Sequence, residues 1–181
     1  WVADMDIPAP PAVLEALHRQ VDHGIFGYAR PTDELVAVAL GILERDHAIQ
    51  ALPEALVWLP GLVSGLHVAC ASIGEPGDAI LVMTPSYPPF LSAPGAVGRR
   101  CLTVPLQDAT GTIDFAAVEA ALADAGNRCR GLMLCNPHNP TGRVYDRQTL
   151  LRLGELAERY DLTVVSDEIH AGLVLEPGLV H

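Results

Sequence analysis

The chain has 181 residues, with 22 acidic side chains against 11 basic ones and a formal net charge of −11. That balance excludes nucleic acid and anionic membrane surfaces as partners, since both require basic patches. All the basic residues are arginines, and with no lysine present these residues alone carry out no lysine chemistry.

Half of the residues are hydrophobic, enough for one domain that buries about 70% of its unfolded surface. No apolar run reaches the roughly 20 residues of a membrane span, and no secretory signal is visible. Cys70, Cys101, Cys129 and Cys135 form no C-x-x-C pair. They read as reduced thiols of a cytosolic protein rather than as a zinc site. The sequence opens on Trp1 inside a patterned segment and stops at His181 shortly after an apolar run. It reads as a piece of something longer.

In chain order, Pro10–His23 and Thr32–His47 carry helical spacing, the first opening on prolines and ending near Gly24. Short apolar runs follow at Ala55–Leu59, Ala79–Met83, Cys101–Leu106, Gly131–Cys135 and Leu162–Ser166. They are mostly continuous rather than alternating, as in strands covered on both faces. Between the later runs lie two more helices. In Asp114–Ala125, residues Phe115, Val118, Leu122 and Ala125 form the stripe and Asp114 the N-cap. In Asp146–Tyr160 the stripe is Leu150, Leu153, Leu156 and Ala157. Strands alternating with helices predict an α/β fold, a mainly parallel sheet with helices on both faces. Ligands bind such sheets beyond the carboxyl ends of the strands.

The strand ends are where the unusual residues fall. After the first run, Leu59–Gly65 opens into an apolar helix that runs to about Ser72. A helix start there is a natural phosphate cradle, or an ordinary strand–helix turn. It matches neither G-x-G-x-x-G nor a Walker loop. After the second run, three prolines within Thr84–Phe90 stiffen a loop that aims Tyr87 and Phe90. Tyr87 then stacks on a planar ring or packs as a half-buried side chain. The fourth run ends in Cys135-Asn-Pro-His-Asn-Pro-Thr-Gly142. Two Asn-Pro steps in succession exceed what a turn needs, which suggests that an asparagine amide is being aimed. The fifth ends in Ser166-Asp167-Glu168-Ile169-His170. An aspartate closing so apolar a strand calls for a cation, either an arginine or a protonated heterocyclic nitrogen.

Asn139-Pro-Thr-Gly, followed about 25 residues on by Ser-Asp-Glu-x-His, resembles the fold-type-I pyridoxal-phosphate enzymes, the aminotransferase superfamily. Five segments in order resemble its cystathionine β-lyase (carbon–sulfur lyase) branch, of MalY/PatB type. They are Trp-Val-Ala-Asp-Met-Asp at 1–6, His-Gly-Ile-Phe-Gly-Tyr at 23–28, Thr-Pro-Ser-Tyr-Pro-Pro-Phe at 84–90, the Asn-Pro turn with Arg143 and Val144, and Ser-Asp-Glu-Ile-His at 166–170.

The resemblance implies an incomplete three-layer αβα large domain over residues 10–181, led into by residues 1–9. It implies pyridoxal 5'-phosphate as cofactor and α,β-elimination of an L-cystathionine-like thioether to a thiol, pyruvate and ammonia. By the same resemblance Asp167 pairs with the pyridine nitrogen, Asn139 and His170 meet the phenolic oxygen, and Tyr87 stacks on the ring. Gly61, Leu62 and Val63 offer N–H groups to the phosphate. Tyr28 reaches the phosphate of a neighbouring subunit in a cytoplasmic homodimer. Gly172 departs from the branch, which more often has an acidic residue there. The cofactor's lysine would lie downstream, so these 181 residues alone are expected to be inactive, and to fold poorly because Ala55–Leu59 lacks its neighbouring strands. An aminotransferase, a non-catalytic binding remnant and an unrelated nucleotide-binding domain are the competing readings, the last weakened by the lack of a glycine-rich loop.

Overall fold

The computed structural model describes residues 6–173; of the first motif, residues 1–5 lie outside that range. The chain divides into two compact units between Trp58 and Leu59. In the first, α1 (Pro11–His23) starts on prolines, whose missing N–H is harmless in a first turn, and ends on Gly24 at φ 73°. Helix α2 (Asp33–His47) is capped by Thr32, whose hydroxyl accepts from the Leu35 N–H. Neither helix buries a residue. Leu56, Val57 and Trp58 line an apolar pocket with Ala39, Ile42 and Leu43 of α2.

The first predicted strand does not form. Pro53–Ala55 is a short 3-10 turn, and 56–59 runs without a ladder partner among the described residues. An apolar run favours extended backbone, but a strand exists only where a second strand takes up its N–H and C=O groups.

In the second unit, α3 (Leu62–Ser72) precedes β1 (Ala79–Thr84), α4 (Pro88–Ala96), β2 (Arg100–Pro105), α5 (Phe115–Ala125), β3 (Cys129–Cys135), α6 (Arg147–Arg159) and β4 (Thr163–Asp167). All three strand pairings are parallel, in the order β2-β1-β3-β4. Helix α4 had no sequence prediction. Pro88 and Pro89 occupy its first turn, where proline is tolerated, so residues that read as loop-stiffening start a helix.

Alternate strand residues face opposite layers. Leu81, Met83, Val104, Leu132 and Leu134 pack with Val118 and Leu122 of α5 and Leu153 and Leu156 of α6. Ile80, Val82, Met133 and Cys135 pack with Leu66 and Cys70 of α3 and Phe90 and Ala93 of α4. The three-layer αβα arrangement follows. β1 and β3 are covered on both faces, as their continuous apolar runs predict, whereas β2 and β4 are not, and Val164 is 44% exposed. Both flank the described sheet, where fewer helices reach. Gly131 brings β3 close under the α3 layer: a Cβ there would meet Ile73 Cγ2 at 3.0 Å. The caps read from sequence are present, Asp114 accepting from the Ala117 N–H and Asp146 from the Thr149 N–H.

Arg99 fastens α3 from behind. Its guanidinium donates to the carbonyls of Ala71, Ile73 and Gly74 at the end of α3, and to Val97 after α4, each at 2.9 Å. Removing it strands C-terminal helix carbonyls that otherwise have a cationic donor. Arg99→Ala is expected to lower stability by about 2 kcal/mol, read from urea unfolding; an unchanged midpoint would show the four bonds to be dispensable.

Candidate functional site

The chain crosses from β1 to β2 in one direction along the sheet, and from β2 past β1 to β3 and β4 in the other. The carboxyl ends of β1 and β3 are therefore a topological switch point, where open α/β sheets bind ligands. Most sequence-predicted site residues lie at these ends. Tyr87 precedes the first turn of α4, half-buried against the cluster that contains Leu66 and Phe90. Asn139 sits half-buried in the turn after β3, Asp167 ends β4, and His170 follows three residues later, also half-buried. Gly61 is the N-cap of α3, so Leu62 and Val63 present N–H groups that no helical carbonyl accepts. An added Cβ at Gly61 would meet nothing within 4 Å. Tyr28 belongs to the other unit and is fully exposed.

Asp167 is the chemical centre of this edge. Its backbone is paired beside Cys135, and its carbonyl accepts from the Asn136 N–H at 3.0 Å. Its side chain is 5% exposed. Burial pushes the carboxyl up; the Ile169 N–H, which donates to Oδ1 at 3.1 Å, and His170 act downward, while Glu168 acts upward. Among the described residues no arginine forms an ion pair with it, so the arginine alternative is not the arrangement found. The Cys135 thiol is pushed up chiefly by burial, with the Asn139 N–H acting downward and the Asp167 charge upward. Asn139 and Asp167 thus flank one buried thiol. All four cysteines are free.

The two Asn-Pro steps divide their work. Asn136 is 2% exposed, and its Oδ1 accepts from the Tyr145 N–H at 3.0 Å, closing the base of the loop. Asn139 is the less buried one, left at the tip. The peptide bonds preceding Pro85, Pro137 and Pro140 are cis. Inside the loop the His138 N–H donates to Arg143 O at 2.8 Å, and the Gly142 N–H to His138 O at 2.7 Å. The His138 ring, 3% exposed, meets Thr141 Oγ1 at 2.8 Å, and burial pushes its pKa down.

Sequence reasoning missed Asn136, His138 and Tyr145. The doubling of Asn-Pro was a signal for the first, but nothing local marks Tyr145. Its ring is fully buried, its pKa is pushed up to about 12 by burial, and its hydroxyl is the one buried side-chain polar atom without a partner among the described residues. No group of three or more metal-ligating side chains converges among the described residues, and none of their helices is long and apolar enough to cross a membrane. The edge combines a buried carboxylate, a half-buried aromatic ring, a turn amide and free helix N–H groups. These suit a planar ligand with a cationic ring atom and an anionic group.

Comparison with known proteins gives the same direction. The sequence profile of the family "Aminotransferase class I and II" matches residues 3–180. Cystathionine beta-lyase PatB of Bacillus subtilis (strain 168) is 43% identical over 177 residues, which cover 97% of this chain and 45% of that protein. The cystathionine beta-lyase of Corynebacterium glutamicum is 35% identical over 176 residues, 97% of this chain and 46% of that protein. The crystal structure of the pyridoxal-phosphate-bound C-S lyase from Staphylococcus hominis superposes with a TM-score of 0.91 at 31% identity, over 100% of this chain and 46% of that one. The chain spans somewhat under half the length of these relatives.

Since the Tyr145 hydroxyl is buried unpaired, Tyr145→Phe is expected to leave stability unchanged or raise it by up to about 1 kcal/mol. Chemical denaturation checks this, and a clear loss would reveal a partner for the hydroxyl.

Proposed function

The chain belongs to the class I and II aminotransferase family, and from that premise we propose that the switch-point edge is part of a pyridoxal 5'-phosphate site in a carbon–sulfur β-lyase. The reaction would be α,β-elimination of L-cystathionine or a related cysteine S-conjugate to a thiol, pyruvate and ammonia. The observation that carries the reading is Asp167, a 5% exposed carboxyl at a strand end with one of its oxygens engaged by a backbone N–H and no guanidinium opposite. A buried carboxylate in that state, with His170 near but no ion pair formed among the described residues, is short of a cationic partner, and a protonated pyridine nitrogen would supply one.

The residues present fit the cofactor. Asp167 would keep the ring nitrogen protonated, and Asn139 would donate its amide to the phenolic oxygen, with His170 beside it. Tyr87 would cover a ring face, and the N–H groups at Gly61, Leu62 and Val63 would receive the phosphate. When bound, pyridoxal phosphate supplies an electron sink for the carbanion formed as the substrate's α-proton leaves. The sequence holds no lysine, and a guanidinium stays protonated, so the amine that moves this proton has to come from outside these 181 residues. Tyr28 would serve the phosphate of a second subunit in a cytoplasmic homodimer, and residues 10–181 would be part of the cofactor-binding large domain, with 1–9 leading into it.

A protein carrying this sequence together with the remaining half of such a lyase is expected to release pyruvate from L-cystathionine. If it only exchanges amino groups with 2-oxo acids, the lyase reading falls and an aminotransferase replaces it. Neither activity would leave the binding remnant.

A pH prediction follows from Asp167. Its carboxyl is raised in the folded chain, so its stabilising contribution is complete below the unfolded carboxyl's pKa and is lost as pH rises through the folded value. Without ligand, Asp167→Asn is therefore expected to be more stable than the parent chain at neutral pH, the difference closing by about pH 3. Urea midpoints across that range test it; lower stability of the asparagine variant at neutral pH would mean that a cation already faces Asp167.

A further inference from the structure

The loop between β2 and α5 was assigned no role by its sequence, yet it touches the Asn139 turn. It is held in shape by Asp108. The Asp108 Oδ1 accepts from Thr110 Oγ1 at 2.6 Å, the Thr110 N–H at 2.9 Å and the Thr112 N–H at 3.3 Å. The Gly111 N–H donates to Asp108 O, and the Gln107 N–H to Thr112 O at 2.9 Å, closing the loop. At its start the Leu106 N–H donates to Thr84 O at 2.7 Å, fastening it to the end of β1.

The tip of this loop is Gly111, buried and at φ +83°. A Cβ placed there would lie 2.5 Å from Thr141 Oγ1, 3.2 Å from Thr141 Cβ and 3.4 Å from Arg143 Cβ. The first is too close for a Cβ unless Thr141 moves, the second is tight, and the third is ordinary contact. Thr141 is two residues past Asn139, and its hydroxyl meets the buried His138 ring one residue before it. Arg143 Nη1 adds a bond to Thr112 Oγ1 at 3.3 Å. Glycine at 111 therefore lets the loop backbone press on the turn at Thr141, while Asn136 closes the base of the turn through the Tyr145 N–H.

We propose that Gly111 is a positioning residue: the loop tip, through Thr141 and His138, sets where the Asn139 amide lies and so tunes its hold on the cofactor's phenolic oxygen. The inference rests on the pyridoxal-phosphate reading of the site. An alanine at 111 would push Thr141, and the displacement would pass along two residues of turn to Asn139. Loss of one well-placed hydrogen bond to a charged oxygen corresponds to roughly a tenfold change in affinity.

The test uses a protein carrying these 181 residues together with the remaining half of such a lyase, and pyridoxal phosphate, with binding read from cofactor absorbance and fluorescence. Gly126 provides the control: it also has positive φ, at 56°, but an added Cβ there meets nothing within 4 Å. Gly111→Ala is expected to weaken binding about tenfold, whereas Gly126→Ala, which also puts an alanine at positive φ, leaves affinity unchanged. In an Asn139→Ala background, Gly111→Ala should cost no further affinity, because the two act through one contact. Amide exchange at His138 and Gly142 should quicken in Gly111→Ala alone.

Should that variant fail to fold, Thr141→Val removes the hydroxyl at constant size and is expected to weaken binding likewise, with Thr141→Ser restoring it. Equal affinity of the Gly111→Ala and parent chains overturns the inference while leaving the cofactor reading intact, and so does additivity with Asn139→Ala. Absence of binding by the parent protein, both halves present, overturns the cofactor reading and this inference together.

Discussion

The hydrogen bond from the Asn136 N–H to the Asp167 carbonyl, 3.0 Å long, carries the β3–β4 ladder one residue past β3. Asp167 and the Asn-Pro loop are both referred to it. It holds the last residue of β4 in register with the first residue of the Asn-Pro loop. The same asparagine then uses its side chain to pin the returning chain at Tyr145. One residue thus joins the carboxylate-bearing strand to both ends of the loop that presents Asn139. A parallel ladder alone could not do this, because its slanted bonds end with the strands.

The layers behind that bond supply the stability that lets it persist. β1 and β3 are buried on both faces, and full burial of each large aliphatic side chain contributes about 1.5–3 kcal/mol. Against this stands the cost of Asp167, whose carboxyl is buried with a raised pKa, with only His170 acting against that rise as a nearby charge and, among the described residues, no ion pair to it. Such a group weakens the chain and belongs where a ligand repays it. The His138–Thr141 pair and the Asp108 loop show the opposite policy: polar atoms there are matched to one another, so the turn is braced rather than strained.

Much of the fold was legible in the sequence because it depends on periodicity and caps. Leu150, Leu153 and Leu156 mark α6 whatever lies beside them, and Asp114 and Asp146 cap their helices by local geometry. Strand-end placement of Tyr87, Asn139 and Asp167 followed from the alternation of runs. Where the outcome depended on neighbours, residue spacing alone did not decide it. Ala55–Leu59 has strand composition but no ladder, and Pro88–Pro89 reads as loop but begins α4, since the missing N–H groups fall where a helix needs none.

The sequence by itself determined the α/β class, the order of elements and the chemical types gathered at the strand ends. Those rest on side-chain spacing along a single chain. Only the tertiary structure decided which asparagine is buried and bonded and which is left half-buried, that Tyr145 lies buried with an unpaired hydroxyl, and that Gly111 presses on Thr141 thirty residues away. Each is a contact between segments distant in sequence. Burial and steric fit are properties of the surfaces that meet, and no local pattern encodes them.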